Sequence, residues 1–309
     1  MKQICIIMAT YNGEQYLAPQ IESILNNTFQ NIRLHIFDDG STDGTAAIAG
    51  RYAQRHPEKI YFRTNQENKG VIRNFLDAAA TLEGDYYMFC DQDDIWLPDK
   101  IQKTLSFMEE QEAALPDGTP VVVFTDAKVA DASLTVTAPS FQRQSGYHTQ
   151  ALDFAHLLME NKLNGCNTMF NRAAQEKLTP QEFPSAIRMH DWWLALIGSA
   201  FGRVAYLDEA LMLYRQHEKN VVGGKSRGSY LKQRISHLKK DREALYATMA
   251  QGEAFLSLYG QKLTPEKRKI LRLFTDLPKK NWFARRFYIL RHGFLKSGLA
   301  RNIGIMLVI

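Results

Sequence analysis

At 309 residues, with 45% hydrophobic and 23% charged side chains, the chain has a globular composition and enough length for a sizeable core, which excludes disorder over most of it. Its formal net charge of +5 hides an asymmetry, because residues 1–224 carry 19 Lys and Arg against 28 Asp and Glu while residues 225–309 carry 19 against 5. An acidic module at −9 is followed by a basic one at +14, and such a basic module suits a polyanion, either an anionic membrane surface or nucleic acid.

In chain order, short β-rich runs alternate with helical patterns. A strand at Ile4–Ala9 precedes a helix at Gln15–Asn26, a strand at Arg33–Phe37 a helix at Thr45–Arg55, and a strand at Ile60–Arg63 a helix at Val71–Leu82. The series continues with a strand at Tyr86–Cys90, a helix at Lys100–Ala114 and a strand at Val121–Thr125. Near-continuously apolar strands separated by helices predict an α/β fold, a Rossmann-like, mostly parallel sheet flanked by helices. Pro139–Gln150 reads as a loop, Leu152–Glu160 as a short helix, Asn164–Phe170 as an apolar stretch, His190 as the start of a helix and Leu211–Arg215 as a strand. Val221–Gly228, with Gly223 and Gly224, reads as a linker or mobile loop. From Tyr230 the pattern is helical, interrupted by Pro265 and Pro278. Cys5, Cys90 and Cys166 lie far apart without a CxxC spacing, which fits a reducing, cytosolic setting. No window reaches the length of a membrane span, and the first residues are too short an apolar run for a signal peptide.

In a sheet of this kind ligands bind at the carboxyl ends of the strands. Three polar clusters fall there: Thr10-Tyr11-Asn12-Gly13, Asp38-Asp39-Gly40-Ser41-Thr42-Asp43-Gly44 and Asp91-Gln92-Asp93-Asp94. Three carboxylates within four residues repel one another unless a cation neutralises them, and hard oxygen ligands favour Mg²⁺ or Mn²⁺ shared with substrate phosphates. The plainer reading of the last cluster is a helix cap at Asp94 with solvated neighbours. Ser41, Thr42, Asp43 and Gly44 are likewise explained by capping and turning into the next helix, whereas Asp38 and Asp39 are not. No GxGxxG or GxxxxGK[ST] motif is present.

Ala9–Gly13, Asp38–Gly44 and Asp91–Asp94, in this order and at these intervals, resemble the donor-site signature of family 2 inverting glycosyltransferases. His190-Asp191-Trp192-Trp193 is similar to the segment that carries the family's catalytic base, and Tyr214–Asn220 to its late metal-binding histidine motif. The resemblance covers about residues 3–222 and implies a GT-A fold in a catalytic domain, 1–222, followed by a basic helical region, 223–309. Carried over residue by residue, it implies that Thr10 and Tyr11 lie against the nucleotide base and that Asp39 reads the polar edge of the base. It puts Asp91 near the ribose, and Asn12, Gln92 and Asn68-Lys69-Gly70 in the donor site. Asp93 and His217 would hold the divalent metal, Asp191 would be the general base, and His190 and Trp192 would meet the acceptor. Tyr11 can equally be read as a core aromatic, Arg73 as an anion contact or a solvated residue, and Asp191 as a cap before a buried aromatic face. Burial beside tryptophans would raise the Asp191 pKa toward a useful value.

The combination of CDQDDIW, HDWW and YRQHxxN further resembles the bacterial rhamnosyltransferase branch, which implies dTDP-L-rhamnose as donor, with UDP-sugars as the alternative. The implied acceptor is a glycan or lipid-linked saccharide of a growing surface polysaccharide. Lys279–Tyr288 interleaves basic and aromatic residues and Ile303–Ile309 is almost wholly apolar, a pattern that fits docking at the inner face of the plasma membrane. The other reading of this tail is a helical bundle packed on the catalytic domain or on a second copy in a homodimer. A sugar nucleotidyltransferase would need a Gly-rich basic loop after the first strand, which is absent, and acidic strand ends would repel nucleic acid.

Overall fold

A computed structural model describes residues 2–178, 183–217 and 238–309. Alternate residues of β1 (Ile4–Thr10) point to opposite faces, and both sets are buried. Cys5 and Ile7 join a core with Phe75, Phe89 and Trp193, while Ile4, Ile6 and Met8 join another with Ile21, Leu34 and Ile101. This two-sided burial is why the strand is apolar throughout. β2 (Ile32–Asp38), β3 (Ile60–Thr64) and β4 (Tyr86–Cys90) are parallel to it in the order β3-β2-β1-β4. The connecting helices are α1 (Leu17–Leu25), α2 (Thr45–Arg55) and α3 (Gly70–Thr81).

Beyond β4 the sheet becomes mixed. After β5 (Ile95–Trp96) and α4 (Lys100–Ala113) come β6 (Val121–Ala130), β7 (Val136–Ala138), α5 (Phe141–Ser145), α6 (Phe154–Met159), β8 (Thr168–Asn171) and α7 (Arg172–Gln175). β8 lies antiparallel between β4 and β6, and β9 (Arg203–Arg215), which follows α8 (His190–Phe201), runs parallel to β6. β5 pairs antiparallel with β9, and β7 with β6. The parallel expectation therefore holds for the first four strands and is modified by β5, β7 and β8, which are too short to carry a periodic signal. Pro139–Gln150 is not all loop, since Ser140 caps α5 by accepting the Arg143 amide at 3.0 Å and Gly146 ends it with φ +67°.

α8 presses closely on the sheet. A methyl at Gly198 would lie 2.8 Å from Val122 and 2.9 Å from Val204, so only glycine lets the helix approach β6 and β9 this far. The C-terminal helices α9 (Leu238–Tyr259), α10 (Pro265–Thr275), α11 (Trp282–His292) and α12 (Leu299–Val308) pack on the same side. Leu245, Phe255, Phe274, Ile289 and Ile305 share one continuous core with Phe154 and Trp193. Pro265 starts α10 rather than breaking it, with Thr264 capping by accepting the Lys267 amide at 3.3 Å. The anticipated domain boundary at 222/223 and the linker Val221–Gly228 lie outside the described residues.

Candidate active site

The parallel half of the sheet gathers the carboxyl ends of β1, β2 and β4 at one edge. Asp38, fully buried, accepts the Thr10 hydroxyl at 3.0 Å and the Ser41 amide at 2.9 Å, which ties the first two loops together. Asn12, at φ +49°, donates its amide to Ser41 Oγ and accepts the Thr42 amide at 2.8 Å. Gln92 receives the Tyr11 amide at 2.9 Å and donates back to the Tyr11 carbonyl at 3.0 Å, so both ends of its side chain clamp the β1 loop to the β4 loop. Thr10 is thus turned inward, and of the Thr10-Tyr11 pair only the Tyr11 ring is exposed, at 51%. The core-aromatic reading of Tyr11 does not hold.

Asp39 is buried, and its carboxylate accepts the Lys69 and Gly70 amides, each at 2.8 Å, together with Asn65 Nδ2 at 2.9 Å. It therefore caps α3, where Gly70 takes φ +75°. Asn68 donates to the Asp39 carbonyl at 2.9 Å. The ammonium of Lys69 and the guanidinium of Arg73 both pair with the Asp77 carboxylate, at 3.1 Å and 3.2 Å.

The β4 loop meets the end of β9 through β5. Pairing of Ile95 with Leu213 and Trp96 with Met212 runs the two segments past each other and brings residues 215–217 beside Asp93 and Asp94. The Arg215 amide donates to Asp94 Oδ1 at 3.1 Å, and its Nε donates to the Asp93 carbonyl at 2.8 Å. His217 Nε2 lies 2.8 Å from Asp93 Oδ2, and its ring stacks on Tyr16 at 4.6 Å. Asp94 does not cap a helix. It is fully buried, its Oδ2 has no hydrogen-bond partner, and burial raises its pKa well above the carboxylate range.

Burial, followed by repulsion from Asp93 and Asp191, pushes Asp91 up to about 7. That repulsion places the Asp191 carboxylate within electrostatic reach of the β4 loop. Asp191 sits in the first turn of α8, where Asn161 Nδ2 donates to its Oδ1 at 3.0 Å and the Trp192 amide donates at 2.7 Å. These donors favour the ionised form, yet burial outweighs them and brings the group to about 6. An aspartate poised there can hold a proton or release it near neutrality. Asn161 was not apparent from the sequence, because nothing local connects it with a residue 30 positions on. Replacing it with Ala removes a donor to the carboxylate, and the acid limb of a pH–rate profile should move up by about one unit.

The two flanking residues part company. The His190 ring packs on Phe75 at 4.1 Å and against Phe89 at 4.9 Å, with neither nitrogen hydrogen-bonded, and burial lowers its pKa to about 3. It is a neutral core side chain, so the expected acceptor contact is not where the structure places it. Helical periodicity does not reveal this, because every residue of α8 from His190 to Ala200 is buried. Trp192 is 8% exposed, donates its indole N–H to the Leu157 carbonyl at 2.6 Å, and borders a cavity described below.

Among the described residues, Asp91, Asp94 and Cys166 bring ligand-capable atoms within 4.8 Å of one another. Cys166 is a poor candidate, since burial raises its pKa and its thiol donates to Asn164 Oδ1 at 2.9 Å. The expected ligands Asp93 and His217 touch each other at 2.8 Å but are not part of that cluster; a carboxylate oxygen with an imidazole nitrogen would suit Mn²⁺, and Mg²⁺ less.

Residues 5–178 match the family model for glycosyl transferase family 2. The chain belongs to that family. Among curated family relatives, the dTDP-rhamnosyl transferase RfbG of Shigella flexneri is 30% identical over 227 residues, covering 70% of this chain and 73% of that protein. EpsE of Bacillus subtilis is 32% identical over 154 residues, half of this chain. The chain spans 54% of the length of EpsE and 59% of Rv1520 of Mycobacterium tuberculosis. A mannosyltransferase from Pyrobaculum calidifontis, solved with GDP-Man and Mn²⁺, superposes with a TM-score of 0.54 at 16% identity, covering 99% of this chain and 79% of that one. S. aureus TarS with UDP-GlcNAc also gives 0.54 at 16% identity, with 93% and 80% covered. The mixed sheet with flanking helices is the GT-A fold of these glycosyltransferases.

Proposed function

We propose that the protein is an inverting glycosyltransferase that moves L-rhamnose from dTDP-L-rhamnose onto a saccharide acceptor in bacterial surface polysaccharide synthesis. The observation that carries this reading is the convergence of three distant segments: Asp93 touches His217 at 2.8 Å, and Asp91 of the same loop feels the charge of Asp191. Family membership supports sugar transfer, and the activity in the name of RfbG supports the rhamnosyl donor.

In the proposed reaction Asp191 takes the proton of an acceptor hydroxyl whose oxygen attacks the anomeric carbon opposite the diphosphate. The bond from that carbon to the diphosphate oxygen breaks, the electron pair leaves with the nucleoside diphosphate, and the configuration inverts. Asp93 and His217 would hold Mn²⁺ or Mg²⁺, which when bound supplies Lewis-acid stabilisation of the departing diphosphate. Tyr11 offers its exposed ring to the base, and Asp39 fixes the Asn68–Gly70 segment alongside. A panel of dTDP-, UDP- and GDP-sugars with Mn²⁺, scored by thermal shift, tests the donor, because a bound ligand raises stability with occupancy. dTDP-L-rhamnose should give the largest shift, and a larger one from a UDP-sugar would displace it.

The C-terminal helices support a membrane-surface location. On α11 Phe283, Phe287 and Leu290 are 79%, 63% and 64% exposed, and on α12 Leu299, Ile303 and Leu307 are 77%, 50% and 67% exposed. Each set follows helical spacing, so each helix presents an apolar stripe outward while Ile289 and Ile305 face the core. Arg286 joins the stripes, with its guanidinium over Trp282 at 3.7 Å and a donor to the Met306 carbonyl at 2.6 Å. Lys279 and Lys280 precede α11 and Arg291 lies in its last turn, and this basic charge makes anionic lipid the fitting occupant. No described helix is long and apolar enough to cross a membrane. Phe283→Ser with Phe287→Ser should lower binding to phosphatidylglycerol vesicles about tenfold or more in flotation assays, by loss of buried apolar area.

A further inference from the structure

We propose that the cavity between α6, α8, α9 and α12 binds a phosphate carried by the acceptor, next to the group that deprotonates it. The inference rests on the reading of Asp191 as general base. The cavity, about 380 Å³, is bordered by Asn161 and Trp192, two of the residues whose N–H groups hold the Asp191 carboxylate. The cavity therefore reaches to within one residue of that carboxylate, which is not itself part of the lining.

Three cations line the same space, Arg188, Lys296 and Arg301. Arg188 is fixed by the Ala244 carbonyl at 2.6 Å and Thr248 Oγ1 at 2.7 Å. Arg301 is fixed by Glu160 at 2.9 Å and the Ser145 carbonyl at 2.6 Å, with its guanidinium over the Tyr147 ring at 4.9 Å. Lys296 differs from them: its ammonium has no hydrogen-bond acceptor among the described residues. Burial, together with the charges of Arg188 and Arg301, lowers its pKa, while Glu160 and Asp241 oppose that shift. Glu160 is already engaged by Arg301 and by the Ser297 amide and hydroxyl, and Asp241 is exposed at the rim. An entering phosphate would meet two preset guanidiniums and one unengaged ammonium, and would relieve their mutual repulsion.

The remaining wall is apolar, with Leu245, Ile305 and Val308. Ile305 and Val308 belong to α12, whose other face carries the exposed Leu299, Ile303 and Leu307 stripe. The phosphate can come from a prenyl-type lipid diphosphate at a membrane surface or from a soluble sugar phosphate. Both present the same group to Lys296.

Calorimetric titration of the full chain, with no metal added, by inorganic pyrophosphate and by farnesyl diphosphate tests the site. Saturable binding that weakens with salt is expected. Lys296→Gln should weaken it about tenfold or more, and Lys296→Arg should keep it within about threefold, with both variants melting at the wild-type temperature. Tighter binding of farnesyl diphosphate identifies a lipid-borne phosphate, and equal binding of the two a soluble one. Equal affinity of wild type and Lys296→Gln, or no saturable binding of either probe, overturns the proposal. Loss of nucleotide-sugar binding by the wild-type chain is a separate result and would count against the donor reading instead.

Discussion

Asp191→Asn should leave nucleotide affinity nearly unchanged and lower kcat by about 10³-fold, within the range that a positioned general base contributes. The amide can still accept the Asn161 and Trp192 donors that hold Asp191 now, so the change removes basicity with little change of shape. A pH profile separates this from a structural defect. The wild-type Asp191 is pushed up to about 6 by burial, and only its ionised form can take a proton. Below that value kcat/KM should therefore fall about tenfold per pH unit, and above it the rate should level off. In Asp191→Asn the limb should vanish. Steady-state kinetics with an intact acid limb in the variant, or with comparable turnover, would remove Asp191 from this role.

Asp93→Ala should abolish metal-dependent donor binding, with a loss of about 100-fold or more in nucleotide affinity at fixed Mn²⁺. His217→Ala should have a smaller effect in the same direction, because one carboxylate–metal interaction remains. Asp93 also receives His217 at 2.8 Å, so the first substitution unseats the second residue, and the double variant should lose little more than Asp93→Ala alone. Titrating dTDP with and without Mn²⁺ checks both. A metal dependence unchanged by Asp93→Ala would exclude this residue as a ligand.

What could be read from the sequence was what has a local signature. Apolar strands ending in polar clusters announced the parallel half of the sheet and the loops at 10–13, 38–44 and 91–94, because buried strands leave little room for polar residues except at their ends. The helix beginning at His190 was equally plain. β9 was legible only over Leu211–Arg215, since its first half passes through exposed Asp208 and Glu209 beside a register shift opposite Thr125 and Asp126. β5 has two residues and no pattern, yet it brings His217 to Asp93. Arg215 could have been found, because it stands two residues before His217 in the same motif. Asn161 and Lys296 could not, since their roles arise from chain segments that meet only in the folded molecule. Of the two readings of the tail, packing on the catalytic domain is what the inner faces of its helices do, while the outer faces are apolar and exposed, as the membrane reading requires.

The stereochemistry of the first-formed sugar tests the central claim most directly, and it needs no acceptor. Proton NMR of the wild-type chain with Mn²⁺ and its preferred nucleotide sugar, recorded during slow transfer to water before mutarotation, should show the anomer opposite to that of the donor. First appearance of the same anomer as in the donor would require a double displacement and would contradict a single attack assisted by Asp191.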